Sequence, residues 1–204
     1  MSFYQRAIKI LGPCFRFLLN IKSVQGIENI PEDGGLICAN HTSLFDPIVL
    51  AAALKKPIKF MGKAELFKVP VLSSVIRAFG AFPVKRGGAD ATSLRLAQRL
   101  LEDGEYVGIF PQGTRYPKVD PKETEVKMGV GLIAGRSHCR VIPVYIKTPK
   151  NKTGLFRKTH VIIGKPIENE DFSFKEETMK EYESAAKLIF ETVCSLDNAS
   201  SEGK

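Results

Sequence analysis

Apolar residues fall along this chain in two alternating rhythms. Short apolar runs at 35–39, 58–61, 81–84, 106–110, 140–146 and 160–163 are bounded by Gly, Pro, Asn or charged residues and predict β-strands. Between them, apolar spacings of three and four residues predict helices over 47–54, 71–79, 89–101 and 130–137, with a final helix over 175–194. Regular alternation of strand and helix predicts an α/β domain with a largely parallel sheet flanked by helices. That domain is expected over 22–194, with no internal repeat or low-complexity linker, and 195–204 reads as a flexible tail.

The first 21 residues have a helical rhythm of their own. Gln5, Lys9, Gly12, Arg16 and Asn20 lie near one stripe, and Phe3, Ile8, Ile10, Leu11, Phe15, Leu18 and Leu19 form a broad opposite face. Gly12-Pro13 is expected to kink or split this helix. A cationic amphipathic helix suits a membrane surface, and the same pattern also suits a helix packing its apolar face on the domain. No apolar stretch reaches the roughly 18 residues of a membrane span. Arg6, Lys9 and Arg16, with no small-residue cleavage site after them, argue against a cleaved leader.

A length of 204 residues favours one domain with a real core, and 44% apolar residues is ordinary for a globular protein. Lys and Arg outnumber Asp and Glu by 30 to 22, a net charge of +8, so partners are expected to be anionic. Phosphate-bearing substrates, an acidic carrier protein and an anionic lipid surface all satisfy that. Nucleic acid is not expected, because no zinc-ligand spacing or nucleic-acid-binding motif is present. Cys14, Cys38, Cys139 and Cys194 lie far apart, three of them inside apolar runs. They read as reduced residues of an intracellular protein, with neither a disulfide framework nor a metal site.

The stretch "ANHTSLFDPIVL" sets His41 five positions before Asp46. On a straight helix that spacing turns two side chains well apart, so they can meet only across a turn. The flanks supply one: a short apolar run ends at Asn40, and Asp46-Pro47 reads as N-cap and first position of a helix. A plain cap explains the aspartate equally well, so the pair needs support from elsewhere. Ligands of open α/β sheets bind beyond the carboxyl ends of the strands. By that rule the predicted strands deliver His41, Lys63, the Lys85-Arg86 pair and Arg115 of "FPQGTR" to one rim. One base with several cations suits a phosphate-bearing substrate reacting at a neighbouring hydroxyl. Arg115 offers a bidentate fork and Lys63 a mobile point charge, whereas Lys85 reads as a solvated surface charge. Gly113 allows close approach of backbone to ligand.

These blocks carry a resemblance. "NHTSLFD", "GAFPVKRG", "FPQGTR" and "VIPVYI" occur in the order found in the 1-acylglycerol-3-phosphate acyltransferases (lysophosphatidic acid acyltransferases) of the glycerolipid acyltransferase superfamily, and the chain resembles them from about Val24 to Ile146. The resemblance implies that His41 is the general base for the free glycerol hydroxyl as it attacks an acyl thioester, and that Asp46 orients and stabilises the imidazole. It implies phosphate binding by Arg115, with Lys63 and Arg86 at further basic positions, and places Gly113 and Thr114 in the substrate-binding block. Backbone N–H groups near Gly113 are candidates to stabilise the oxyanion. Thr42 and Ser43 then read as turn residues, and Val141, Ile142 and Pro143 as shaping an acyl pocket or a strand.

The implied reaction makes phosphatidic acid from lysophosphatidic acid for phospholipid biosynthesis. Its donor is acyl-CoA or an acylated acyl carrier protein, and no cofactor or metal takes part. The implied location is the cytoplasmic side of the cell membrane, held peripherally by the segment 1–21. Two residues depart from the pattern: Gln112 stands where Glu is usual, and Tyr116 where Ser is usual. The first puts glycerol recognition, and hence the acceptor, in doubt. Another lysophospholipid or glycerol phosphate acceptor, or a non-catalytic lipid-phosphate-binding protein, is the alternative. "GVGLIAG" at Gly129 is no dinucleotide fingerprint, since "DPKETEVKM" rather than a strand precedes it, and its glycines are expected to allow close packing of helix on sheet. A hydrolase built on Ser43 lacks the Gly-x-Ser-x-Gly elbow.

Overall fold

In a computed structural model, residues 3–78, 80–84, 91–176 and 178–199 are described. A seven-stranded sheet carries strands β1 (Ile21–Gln25), β2 (Gly35–Ala39), β3 (Ile58–Lys63), β4 (Phe82–Val84), β5 (Tyr106–Ile109), β6 (Val141–Lys147) and β7 (Thr159–Ile163) in the order β1-β7-β6-β2-β5-β3-β4. Five strands run parallel from β6 to β4. β7 turns back antiparallel to β6, and β1 runs parallel to β7. The α/β class and largely parallel sheet expected from the apolar rhythm are present.

Alternation along β2 divides the core between the two faces. Leu36 and Cys38 face α4 (Ala91–Glu102), α5 (Gly129–Ser137) and α6 (Met179–Ala199), while Ile37 and Ala39 face α1 (Phe3–Leu18) and α2 (Asp46–Leu54). A further helix, α3 (Pro70–Ala78), follows β3. All five residues of β2 are buried, as a central parallel strand covered on both faces requires. Val141, Ile142 and Val144 of β6 are buried as well, so this block builds strand core. Pro143 lies opposite Cys38, just past the end of the β6–β7 pairing, and its carbonyl accepts from the Gly164 N–H.

Several elements differ from expectation. β1 was not foreseen: it is an edge strand with only Ile21 buried, too exposed to show as an apolar run. α1 is one helix across Gly12-Pro13. Pro13 cannot donate to the Lys9 carbonyl, but both residues are exposed, where water can take that bond. α6 starts later than expected because Thr178 and Glu181 close a capping box, 2.9 Å from the Thr178 N–H to Glu181 Oε2 and 3.3 Å from the Glu181 N–H to Thr178 Oγ1. It also continues to Ala199, into the expected tail, where Leu196 packs on the core and Asp197 pairs with Lys147 at 2.9 Å. Gly131 and Gly135 of α5 serve helix-on-helix rather than helix-on-sheet packing: a Cβ on Gly131 would lie 2.0 Å from the Tyr182 carbonyl oxygen of α6, and one on Gly135 2.7 Å from the Tyr182 ring, whereas one on Gly129 would meet nothing within 4 Å.

Candidate active site

β2 ends at Ala39, and Asn40 extends its pairing by side chain alone. Its Nδ2 donates to the Ile146 carbonyl at 3.1 Å and its Oδ1 accepts from the Ile146 N–H at 2.7 Å. Asn40 thus fixes the corner on which His41 stands. Beyond it the chain folds over the Asp46 carboxylate. Oδ2 accepts from His41 Nδ1 at 2.8 Å, from the Thr42 N–H at 2.6 Å and from the Ser43 N–H at 2.8 Å. Asp46 is therefore not the helix N-cap expected from Asp-Pro. Phe45 occupies that position, Asp46 is the first helical residue, and its side chain reaches back to anchor the turn that holds His41. Ser43 Oγ accepts from the Phe45 N–H at 3.3 Å, a turn role as expected.

The loop after β5 clamps the same histidine. Phe110 stacks on the imidazole, with ring centroids 3.9 Å apart and planes 13° from parallel, and Phe60 of β3 stacks in turn on Phe110 at 6.0 Å. Gln112 Oε1 accepts from the His41 N–H at 2.6 Å, and the Tyr116 N–H donates to the His41 carbonyl at 2.9 Å. Gln112 is fully buried, and its Nε2 donates to Thr124 Oγ1 at 2.8 Å, whose hydroxyl donates to the Pro121 carbonyl at 2.7 Å. Both ends of the Gln112 amide are engaged within the protein, so the departure from Glu acts on the backbone of His41 and not on a substrate. Phe110 and Thr124 escaped the sequence reading, and Gln112 was read there as a substrate contact rather than as a tie to the His41 backbone. The aromatic at the end of a strand beside "PQGTR" was a signal for the first, and none existed for Thr124.

With Nδ1 donating to Asp46, Nε2 is left as the basic nitrogen. The imidazole is largely enclosed, its side chain 12% exposed and that of Asp46 fully buried. Gly113 follows in a left-handed conformation, φ 66°, that a side chain would strain. Thr114 and Arg115 are exposed, immediately before the residue bonded to His41. Lys63 ends β3, beside β5 on the same rim, with Nζ 3.7 Å from Glu65. Arg86 lies outside the described residues, as does Lys85. The structure thus joins His41, Asp46 and the loop of Gly113 and Arg115, and leaves Lys63 paired locally.

Burial raises the Cys38 thiol well above its ordinary value, Cys139 to about 12 and Cys194 to about 11, so none of these is a ready nucleophile. Among the described residues no group of His, Cys, Asp or Glu side chains is placed to hold a metal ion, and no helix is long and apolar enough to cross a membrane.

Several proteins and a solved structure are similar to this chain. The 1-acyl-sn-glycerol-3-phosphate acyltransferase of Bacillus subtilis (strain 168) is 34% identical over 172 residues, covering 81% of this chain and 84% of that protein. The 1-acyl-sn-glycerol-3-phosphate acyltransferase of Streptococcus pneumoniae is 31% identical over 150 residues, 71% of this chain and 54% of that one. The crystal structure of the 1-acyl-sn-glycerophosphate (LPA) acyltransferase PlsC from Thermotoga maritima superposes with a TM-score of 0.65 at 31% identity, over 93% of this chain and 79% of that chain. A family model described as Acyltransferase matches residues 22–147, more than half of the chain and all of the site above. The chain belongs to the acyltransferase family.

Proposed function

We propose that this protein transfers a fatty acyl group from a thioester to the free sn-2 hydroxyl of 1-acylglycerol-3-phosphate, giving phosphatidic acid. The observation that carries this reading is the 2.8 Å contact of His41 Nδ1 with a buried Asp46 carboxylate at the carboxyl end of β2, which leaves Nε2 free to act as base. Nε2 takes the hydroxyl proton as the oxygen attacks the thioester carbonyl. The C–O bond forms, the C–S bond of the tetrahedral intermediate breaks, and the imidazolium returns its proton to the departing thiolate. No enzyme nucleophile and no cofactor is required. The Arg115 guanidinium, exposed beside the His41 clamp, receives the acceptor phosphate, with Lys63 and Arg86 as further cations and the backbone around Gly113 facing the oxyanion.

Both lipids must be drawn from a membrane and returned to it. Tyr4, Ala7 and Leu19 are buried, and Phe15 packs on the core, so Phe15 is not the lipid-facing residue expected from the helical wheel. Ile10, Leu11 and Phe17 point outward instead, alongside Arg6 and Lys9. This supports peripheral attachment to a membrane, and the proposed cytoplasmic face would put acyl-CoA and acyl carrier protein both at hand as donors. The test is a mass-spectrometric assay of purified protein with a panel of lysolipids and glycerol phosphate, each with both donors. Phosphatidic acid is expected, with His41→Ala slowing its formation by about 10²- to 10⁴-fold. A folded His41→Ala protein that keeps most of its activity, or a wild type that acylates none of the panel, overturns the proposal.

A further inference from the structure

The segment joining β6 to β7, "TPKNKTGLFRKT", has no role in the chemistry above, yet it is built like a surface-seeking loop. Between Pro149 and Thr159 it carries Lys150, Lys152, Arg157 and Lys158 and no acidic residue. Its tip presents Leu155, 52% exposed, and Phe156, 65% exposed. Phe156 is held at φ 58°, a left-handed conformation that opposes a bulky aromatic. Two hydrogen bonds impose it: the Phe156 N–H donates to the Leu18 carbonyl at 2.7 Å, and Asn20 Nδ2 donates to the Phe156 carbonyl at 3.1 Å. The protein spends backbone strain to keep an aromatic ring in water.

Topology sets this loop on the rim that carries His41. β6 runs parallel to β2, so its carboxyl end and the start of antiparallel β7 both lie there, as does the end of α1 leading into β1. Phe17, 76% exposed, immediately precedes the Leu18 whose carbonyl holds Phe156, so an exposed aromatic at the helix end and the apolar tip of the loop lie on the same rim. The loop also reaches the site. Buried Thr153 donates its N–H to Thr42 Oγ1 at 3.3 Å, one residue from His41, and the Lys118 N–H donates to the Asn151 carbonyl at 2.8 Å, on the strand of chain that carries Arg115.

We propose that the β6–β7 loop is a second membrane anchor, distinct from the amphipathic helix, whose Leu155 and Phe156 enter the headgroup boundary of an anionic bilayer while Lys150, Lys152, Arg157 and Lys158 meet its charge. An exposed apolar pair ringed by cations fits a lipid surface, which offers both an apolar boundary layer and negative charge. Because the loop is tied to the His41 turn and to the Arg115 segment, docking sets the rim at the depth of the acceptor phosphate. The inference rests on the proposed lipid reaction at His41.

Its test uses the full chain and the double variant Leu155→Ser/Phe156→Asn. Asn accepts the left-handed backbone more readily than Phe, so the melting temperature should not fall. Cosedimentation with vesicles of equimolar phosphatidylglycerol and phosphatidylcholine is expected to drop about tenfold or more, while turnover of a monodisperse short-chain acceptor stays within about twofold of wild type. The variant Lys150→Gln/Lys152→Gln/Arg157→Gln/Lys158→Gln should bind the mixed vesicles at least about tenfold more weakly than wild type, keeping only the preference that the cations of the helix confer. Unchanged sedimentation of the Leu155→Ser/Phe156→Asn protein, or a wild type that binds neither vesicle, overturns the proposal. So does unchanged sedimentation with a raised KM for an acyl carrier protein donor alone, which would assign the loop to the carrier. A wild type that needs this loop to bind vesicles but acylates no lysolipid refutes the reaction and leaves the docking standing.

Discussion

Asp46→Asn isolates the charge of the dyad from its geometry. In the wild type, Asp46 Oδ2 accepts from three N–H groups, and Oδ1 is buried with no hydrogen-bond partner among the described residues. The Thr42 and Ser43 N–H groups can be met only by an acceptor, so the amide oxygen of Asn must take the Oδ2 place and its NH₂ the empty side. His41 Nδ1–H then still finds an oxygen, and Nε2 remains the free nitrogen. What disappears is the negative charge opposite the imidazolium that forms as the proton is taken. With Nδ1 and Oδ2 2.8 Å apart, the charge centres are about 4 Å apart, worth about 4 kcal/mol in a site of effective dielectric near 20. The amide dipole recovers part of this, so about 2–4 kcal/mol is lost from the transition state, a fall in kcat of about 30- to 1000-fold. KM for both substrates should hold, because the side chain touches neither, and Tm should move by no more than about 4 °C. Steady-state kinetics on a monodisperse acceptor, beside a thermal melt, read all three. A folded variant with kcat within about threefold of wild type refutes the base assignment; a large loss of Tm with activity kept would leave Asp46 as a turn anchor alone.

Arg115→Ala should raise KM for the phosphate-bearing acceptor by at least about tenfold and that for the thioester donor by much less, since a charge-assisted bond to phosphate is worth about 1.5–3 kcal/mol; an effect confined to the donor refutes the phosphate role. Gln112→Glu keeps an acceptor for the His41 N–H, so kcat should stay within about threefold, but it turns the Thr124 hydroxyl from the Pro121 carbonyl and buries a charge, lowering stability by about 1–3 kcal/mol in a denaturant titration. Gln112→Leu deletes the tie and should cut kcat about tenfold or more at unchanged KM, and a folded Leu variant with full kcat would show that the clamp is dispensable.

The central strands were legible because burial on both faces leaves a continuous apolar run, and the strand at 35–39 was read to the residue. β1 was not, because an edge strand with one buried residue has no such signature. The helical wheel of the N-terminal segment had the right period, but a wheel cannot say which sector the domain takes. The packing of Tyr4, Ala7, Phe15 and Leu19 decided that, and left Phe17 outside. His41 and Asp46 could be paired from their spacing and the proline behind them. The anchoring role of Asp46 could not, since it depends on two backbone N–H groups that converge only once the turn is made.

Gln112 shows why a departure from a pattern is hard to weigh on sequence alone. Its partners stand 71 residues before it and 12 after it, and nothing local joins them. Read singly, loss of the carboxylate from a motif beside an arginine looks like a changed substrate contact. In place, the amide delivers one acceptor to the His41 backbone and one donor to Thr124 Oγ1, while the Thr124 hydroxyl donates onward to Pro121. A carboxylate at 112 would need a donor where Thr124 now accepts, so residues 112 and 124 form one unit of hydrogen-bond polarity. The amide sets the direction of a buried hydrogen-bond chain within the protein, which removes the sequence-based ground for doubting a glycerol phosphate acceptor.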